Sequence, residues 1–201
     1  MFRDQRLNSV ALLGRLSALL VVLCFAAHTA IAAPDSPTVP DLKGVSHQPL
    51  ANHGQKADLF LFVTTDCPIV NAYAAEMERI CAAYKHKGIE CYLVYTDSSQ
   101  SAEAARHHAR AFKLHTATPL RDIKHVLVKR FGAEITPQAA VVTPDGQCVY
   151  LGRIDDRFVD FGKGRYRPTT HELRDALTAV LAGHRPAAAA GRAIGCYISN
   201  N

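Results

Sequence analysis

The chain has 201 residues and 48% hydrophobic side chains, enough for one domain with a full core and flanking segments. A formal net charge of +5 is weak, and no run of basic residues alternates with aromatics, which argues against a nucleic-acid reader. There is no internal repeat and no heptad array, so solenoids and coiled coils are excluded as well.

The amino terminus reads as a secretory signal. Arg3, Arg6 and Arg15 form a positive region, Leu16 to Ala27 an apolar one, and Ala30-Ile31-Ala32 a small-x-small cleavage site. Cleavage is expected after Ala32, so residues 1–32 are assigned as signal peptide and 33–56 as linker and lead-in. Cys24 follows Leu23 rather than the small residue that lipidation needs, so a membrane is a partner only if the segment stays uncleaved. Export, to a periplasmic or extracellular space, is a disulfide-permissive fate.

Pro34 to Pro40 has three prolines and no apolar period. Asp41 to Gln55 reads as a loop or hairpin. Ala57 to Val63 is a continuous apolar run, as in a strand covered on both faces. Pro68 to Lys87 is a helix with Tyr73, Met77, Ile80, Cys81 and Tyr84 on one stripe, ended by Gly88. Ile89 to Tyr95 is a second buried strand. Helices are then expected over Ser101 to Lys113 and Leu120 to Phe131. Ala139 to Thr143, the turn Pro144-Asp145-Gly146 and Gln147 to Ile154 form a hairpin. An irregular loop of charges, glycines and aromatics runs from Asp155 to Pro168. Thr169 with Glu172 reads as a capping box opening a last helix through Leu181. The expected domain is residues 57–183, and 184–201 is a tail carrying Cys196.

Between the first strand and helix stands Thr64-Thr65-Asp66-Cys67-Pro68. A cysteine there faces unpaired helix N–H groups and the positive end of the helix dipole, which stabilise an anionic, nucleophilic sulfur. Proline in the first turn loses no needed donor. Cys67 is therefore the candidate nucleophile. Thr64 can hydrogen-bond it or merely end the strand, and Asp66 is expected to cap the helix. Cys81, on the helical stripe, and Cys91, in a strand, read as small core residues. Cys148 reads as structural. With Cys24 removed the cysteine count is odd, and there is no C-x-x-C pair. The histidines have no metal spacing and read as surface or core residues.

Three features carry a resemblance. Thr64-Thr65-Asp66-Cys67-Pro68 is similar to the threonine–x–x–cysteine–proline arrangement of peroxiredoxins. Thr136-Pro137, just before a strand, matches a cis-proline position. Val141-Val142-Thr143-Pro144-Asp145-Gly146 matches a strand–turn–strand. Over roughly Ala57 to Gly183 the chain resembles the thioredoxin-like superfamily, in the redoxin branch that holds the peroxiredoxins and the alkyl-hydroperoxide-reductase/thiol-specific-antioxidant proteins. It departs from them at Phe60, where the peroxiredoxin motif has proline; at Gln147-Cys148-Val149, where an arginine is usual; and at Val70, where thioredoxin has its second cysteine.

The resemblance implies an α/β thioredoxin-like fold: a mixed central sheet, with a parallel βαβ half and an antiparallel hairpin, flanked by helices. That topology delivers Arg153 near Cys67, where a guanidinium can hold a thiolate ionised and polarise a peroxide, or merely pair with Asp155, Asp156 or Asp160 on the surface. Pro137, with Pro68, is expected to shape the groove for a substrate backbone. The last helix leads about 20 Å away at 1.5 Å per residue. The tail can span up to ~40 Å extended, enough to return Cys196 to Cys67 as the resolving thiol, unless it is a disordered terminus. The expected function is an exported thiol oxidoreductase without a cofactor. Cys67 attacks a peroxide or a protein or small-molecule disulfide, and an external thiol supplies electrons. The alternative is a thioredoxin-fold copper chaperone using Cys67, Cys196 and a histidine such as His171.

Overall fold

In the computed structural model, residues 36–189 and 191–199 are described. The signal segment 1–32 lies outside them, and among the described residues no helix is long and apolar enough to cross a membrane.

The lead-in forms a small antiparallel pair, β1 (Val39–Pro40) with β2 (Ser46–His47). Val39, Leu42 and Leu50 of this region are buried. The body follows as β3 (Ala57–Val63), α1 (Pro68–Lys85), β4 (Ile89–Tyr95), α2 (Ala102–Ala111), β5 (Thr118–Arg121) and α3 (Val126–Phe131). Next come β6 (Ile135–Thr136), β7 (Gln138–Val142), β8 (Cys148–Gly152), β9 (Phe158–Asp160), β10 (Lys163–Gly164), α4 (Glu172–Leu181) and β11 (Cys196–Tyr197). The central sheet has the order β5-β4-β3-β7-β8. β3, β4 and β5 are parallel, and β7 and β8 run antiparallel. This is the expected mixed sheet with its βαβ half and hairpin.

All seven residues of β3 are buried because both faces of the sheet are covered. Leu59, Leu61 and Val63 join the core made with α1, α2 and α4. Phe60 and Phe62 point the other way, into a cluster with Leu127, Val128 and Phe131 of α3. Burying a large apolar side chain is worth about 1.5–3 kcal/mol, so the strand is fixed in place on both sides.

Two local expectations are corrected. Leu120 to Phe131 is not one helix. Thr118–Arg121 pairs with β4 as a fifth strand, and the helix begins only at Val126. Leu120, Ile123, Leu127 and Phe131 fall at helical spacing, but Leu120 is buried in β5 of the sheet while Leu127 and Phe131 are buried on α3. The switch is made by Asp122, whose carboxylate accepts from the N–H groups of Val126 (2.7 Å), Leu127 (2.8 Å) and Val128 (3.0 Å). Nor does Thr169 cap α4. Its hydroxyl and N–H donate to Asp156 instead, and His171 is the N-cap residue, without a side-chain bond.

After α4 the tail does not trail away. Ala189 packs on Gly152, where an added Cβ would overlap it. Gly191 lies against the Arg153 guanidinium, which a Cβ there would have to push aside. Ala193 and Ile198 are buried. Cys196 and Tyr197, as β11, pair antiparallel with Thr136 and Ile135 of β6.

Candidate active site

Cys67 is the N-cap residue of α1, in extended backbone, with Pro68 at the first helical position. The N–H of Asn71 donates to its carbonyl at 3.0 Å, closing the first turn. This is the strand-to-helix junction read from the sequence. Asp66 is exposed beside it and makes no cap, which corrects the capping role expected of it. Cys67 itself is only 1% exposed.

What covers it is the tail. The Cys196 thiol donates to Cys67 Sγ at 2.8 Å, and the Cys67 thiol donates to the Thr136 carbonyl oxygen at 3.3 Å. A disulfide bond of about 2.05 Å is within a shift of less than an ångström. The two residues are 129 apart in sequence, and the contact exists because β11 lies along β6. Gly195 makes that approach possible. A Cβ there would overlap the Thr136 carbonyl oxygen. The Thr136 hydroxyl donates to the Cys196 carbonyl at 3.4 Å, and the Ile198 N–H to the Glu134 carbonyl at 2.9 Å, so the tail is tied on both sides of the cysteine.

Thr64 ends β3 and is buried, with its hydroxyl 3.3 Å from that of Thr136. Pro137 follows a cis peptide bond and is buried directly after the Thr136 backbone that holds both cysteines. Pro68 is exposed at the head of α1. Burial, the hydrogen bond to Cys67, and the charges of Cys67 and Asp66 push the Cys196 thiol up to about 12. At neutral pH Cys196 therefore keeps its proton and is the donor of the pair. A cleft of about 180 Å³ opens beside Cys196, lined by Thr64, Asp66, Thr96, Asp97, Tyr197 and Ser199.

Arg153 is engaged in an ion pair with Glu172. Its Nε donates to Glu172 at 2.9 Å, its terminal nitrogen completes the ion pair, and Gly191 of the tail crosses it. Its visible work is to hold α4 and the tail to the end of β8. The loop after it is anchored by Asp155, which accepts from the Tyr73 hydroxyl at 2.5 Å, and by Asp156, paired with Arg165 at 3.3 Å.

Cys81 and Cys91 are core residues, and they touch each other. Their hydrogen bond, with burial, pushes the Cys91 thiol up. Cys148 is exposed on β8. His108 is a core histidine. Its Nδ1 lies 3.0 Å from the Tyr95 hydroxyl and its Nε2 2.9 Å from Asn71 Oδ1, and burial lowers its affinity for a proton. Among the described residues no cluster of three or more His, Cys, Asp or Glu side chains is placed to hold a metal.

Sequence reasoning missed two residues of the site, Thr136 as the shared anchor and Gly195 as the permissive position. The first had no signal beyond its proline. The second had a weak one, a glycine directly before a cysteine in an otherwise apolar end.

Known structures share this arrangement of strands and helices. A hypothetical protein from Sinorhizobium meliloti is 22% identical, with a TM-score of 0.69 over 82% of this chain and 92% of its own. An uncharacterized conserved protein from Geobacillus kaustophilus is also 22% identical, with a TM-score of 0.69 over 83% and 90%. A secreted disulfide oxidoreductase of Mycobacterium tuberculosis, homologous to E. coli DsbE, is 20% identical, with a TM-score of 0.50 over 74% and 96%. At these identities the likeness is one of fold, and the fold is thioredoxin-like. No curated protein matches the chain in sequence. The AhpC/TSA family profile matches residues 32–151, a span from the lead-in through Cys67, the parallel half and the β7–β8 hairpin. By that match over more than half its length, the chain belongs to the AhpC/TSA family.

Proposed function

We propose that Cys67 and Cys196 form one two-electron redox couple, dithiol in one state and disulfide in the other, and that the protein is a thiol–disulfide oxidoreductase built on it. The observation that carries this reading is the 2.8 Å contact between the two sulfurs under a strand-paired tail. Cys67, at the helix N-terminus, acts as nucleophile. Attack on a disulfide gives a mixed disulfide at Cys67 and releases one substrate thiol. Cys196 then loses its proton, attacks Cys67 Sγ and releases the second substrate thiol. The Thr136 backbone before Pro137 holds the reacting sulfurs, the Thr64 hydroxyl stands against the Thr136 hydroxyl, and Pro68 stands at the rim where a substrate passes.

A peroxide is the second oxidant the site can take, favoured by the Thr64 hydroxyl lining the cleft. The Cys67 thiolate would attack one peroxide oxygen, the O–O bond would break with the other oxygen leaving as alcohol or water, and Cys196 would then displace water from the Cys67 sulfenic acid to give the same disulfide. Copper binding by Cys67, Cys196 and His171 has less support. His171 stands at the N-cap position of α4, and among the described residues no group of three His, Cys, Asp or Glu side chains is placed to hold a metal. Export agrees with the amino-terminal pattern and with the secreted oxidoreductase of similar fold.

The test is disulfide transfer. Oxidised protein mixed with a peptide dithiol should yield peptide disulfide and protein dithiol in equal amounts. Cys67→Ser and Cys196→Ser should both abolish it. Transfer that survives in both variants would overturn the reading.

A further inference from the structure

The loop from Asp155 to Pro168, to which the redox couple gives no role, is a built hairpin. β9 and β10 pair only with each other, Asp160 opposite Lys163 and Phe158 opposite Gly164. Gly162 turns the chain at φ 74°, a conformation that glycine takes without strain. The Arg165 N–H donates to the Arg157 carbonyl at 2.7 Å and closes the base. That base is fixed to α1. The Arg157 guanidinium donates to the Ala72 carbonyl at 3.0 Å, and the Phe158 ring packs on Tyr73 with centroids 5.4 Å apart. Ala72 and Tyr73 follow Cys67 closely on the same helix, so at 1.5 Å per residue the hairpin is rooted about 8–9 Å along α1 from the nucleophile.

Past that root the hairpin is bare. Residues 159–167 are all exposed. Val159, Phe161 and Tyr166 are 50%, 58% and 93% exposed, large apolar side chains held out in solvent within one short element. The same segment carries Lys163, Arg165 and Arg167 against one carboxylate, Asp160. Lys163 pairs with Asp160 at 3.5 Å, and Arg165 with the buried Asp156 at 3.3 Å. The Arg167 guanidinium lies over the Tyr166 ring at 5.6 Å, and among the described residues no carboxylate pairs with it.

We propose that the β9–β10 hairpin is the docking surface for an acidic protein whose cysteines exchange with the redox couple. This rests on the Cys67–Cys196 couple proposed above and adds no step to its chemistry. Three features choose the occupant. The excess of cations on the hairpin complements a negative surface. Phe161, and Tyr166 with Arg167 over it, are anchors of the kind that carry much of the binding energy of a protein interface. The third is position. An interface of about 800 Å² per partner is about 30 Å across, so a protein seated on the hairpin also reaches the head of α1. A thiol couple needs sulfur on the other side. A polypeptide brings it in its cysteines, and an anionic lipid surface does not.

The experiment gives oxidised full-length protein three peptide dithiols. They share one two-cysteine core and a short neutral spacer, and end in a phenylalanine with a run of glutamates, of serines or of lysines. Dithiothreitol is the small dithiol beside them. Rates of disulfide transfer are compared per thiolate at low ionic strength. The glutamate peptide should react fastest and the lysine peptide slowest, a spread of roughly tenfold that shrinks on adding salt. Lys163→Glu with Arg167→Glu should invert the order. Phe161→Ala with Tyr166→Ala should slow all three peptides. Both double variants should still oxidise dithiothreitol at the parent rate, which separates docking from the couple. Equal rates for the three peptides, or an order untouched by the charge reversals, would overturn the proposal while leaving the couple intact. So would hairpin-dependent binding to phosphatidylglycerol vesicles without discrimination among the peptides, which would assign the surface to lipid. Absence of transfer to every probe, dithiothreitol included, would overturn the couple and this proposal together.

Discussion

At Gly195 the backbone of the tail comes so close to the Thr136 carbonyl that no side chain fits. Gly195→Ala should lift β11 from β6 and slow closure of the Cys67–Cys196 disulfide by at least about tenfold, because the effective concentration of Cys196 at Cys67 falls once the chain is released. Quenched-flow alkylation measures it, and an unchanged rate would show that the tail does not need this contact. Cys196→Ser should differ in kind: Cys67 is still modified by a disulfide reagent, but the mixed disulfide persists, detectable by intact mass. The place of Cys67 at the head of α1 was legible because a cysteine followed by proline after an apolar run is a local pattern. The tail's reach to Cys67 was legible as a length. Gly195 and Thr136 were not, since a close approach between residues 59 apart leaves almost no trace along the chain.

Among the elements, β3 carries an ionisable oddity. Asp58, 1% exposed, begins in the middle of the sheet, and only the Gln55 amide donates to it, at 3.0 Å, leaving Oδ1 without a partner. Burial, with the charge of Glu90, raises its pKa to about 7. A carboxyl whose folded pKa lies above its unfolded value costs stability when ionised. The cost is absent below about pH 4, grows as pH rises, and is complete above about pH 7, reaching on the order of a few kcal/mol. Asp58→Asn should therefore raise the melting temperature by several degrees at pH 8 and hardly at pH 4. An equal gain at both would contradict it. Asp122 is buried too, and burial likewise pushes its pKa up, but unlike Asp58 it has three helix N–H partners. Asp122→Ala should cost about 1–3 kcal/mol in urea unfolding by orphaning them. α1, β3, β4 and the hairpin were readable because each keeps one period along its length. The stretch from Leu120 to Phe131 was not, since strand and helix happen to bury residues at a helical spacing, and the side chain that divides them sits in the turn.

For the molecule as a whole, the tail and the sheet act as one unit. Ala189, Gly191, Gly195 and Ile198 seat the tail successively on β8, on the Arg153–Glu172 pair, on β6 and in the core beneath α3. A disulfide across this arrangement would close a loop of about 130 residues. Chain-entropy reasoning then makes the oxidised form more stable by up to about 5 kcal/mol. Oxidised protein should melt several degrees above reduced protein, and Cys196→Ser should remove the difference. The global topology was legible from the alternation of strands and helices. The return of the tail rests on long-range fit and was legible only as a possibility of length.

The measurement that tests the account most directly is non-reducing peptide mapping of the full chain, before and after one equivalent of oxidant. The account predicts a Cys67–Cys196 linked peptide that accumulates with oxidant, reverses with thiol and is missing in Cys67→Ser. Oxidised protein in which Cys67 is unmodified, or linked to Cys81, Cys91 or Cys148 in place of Cys196, would contradict it.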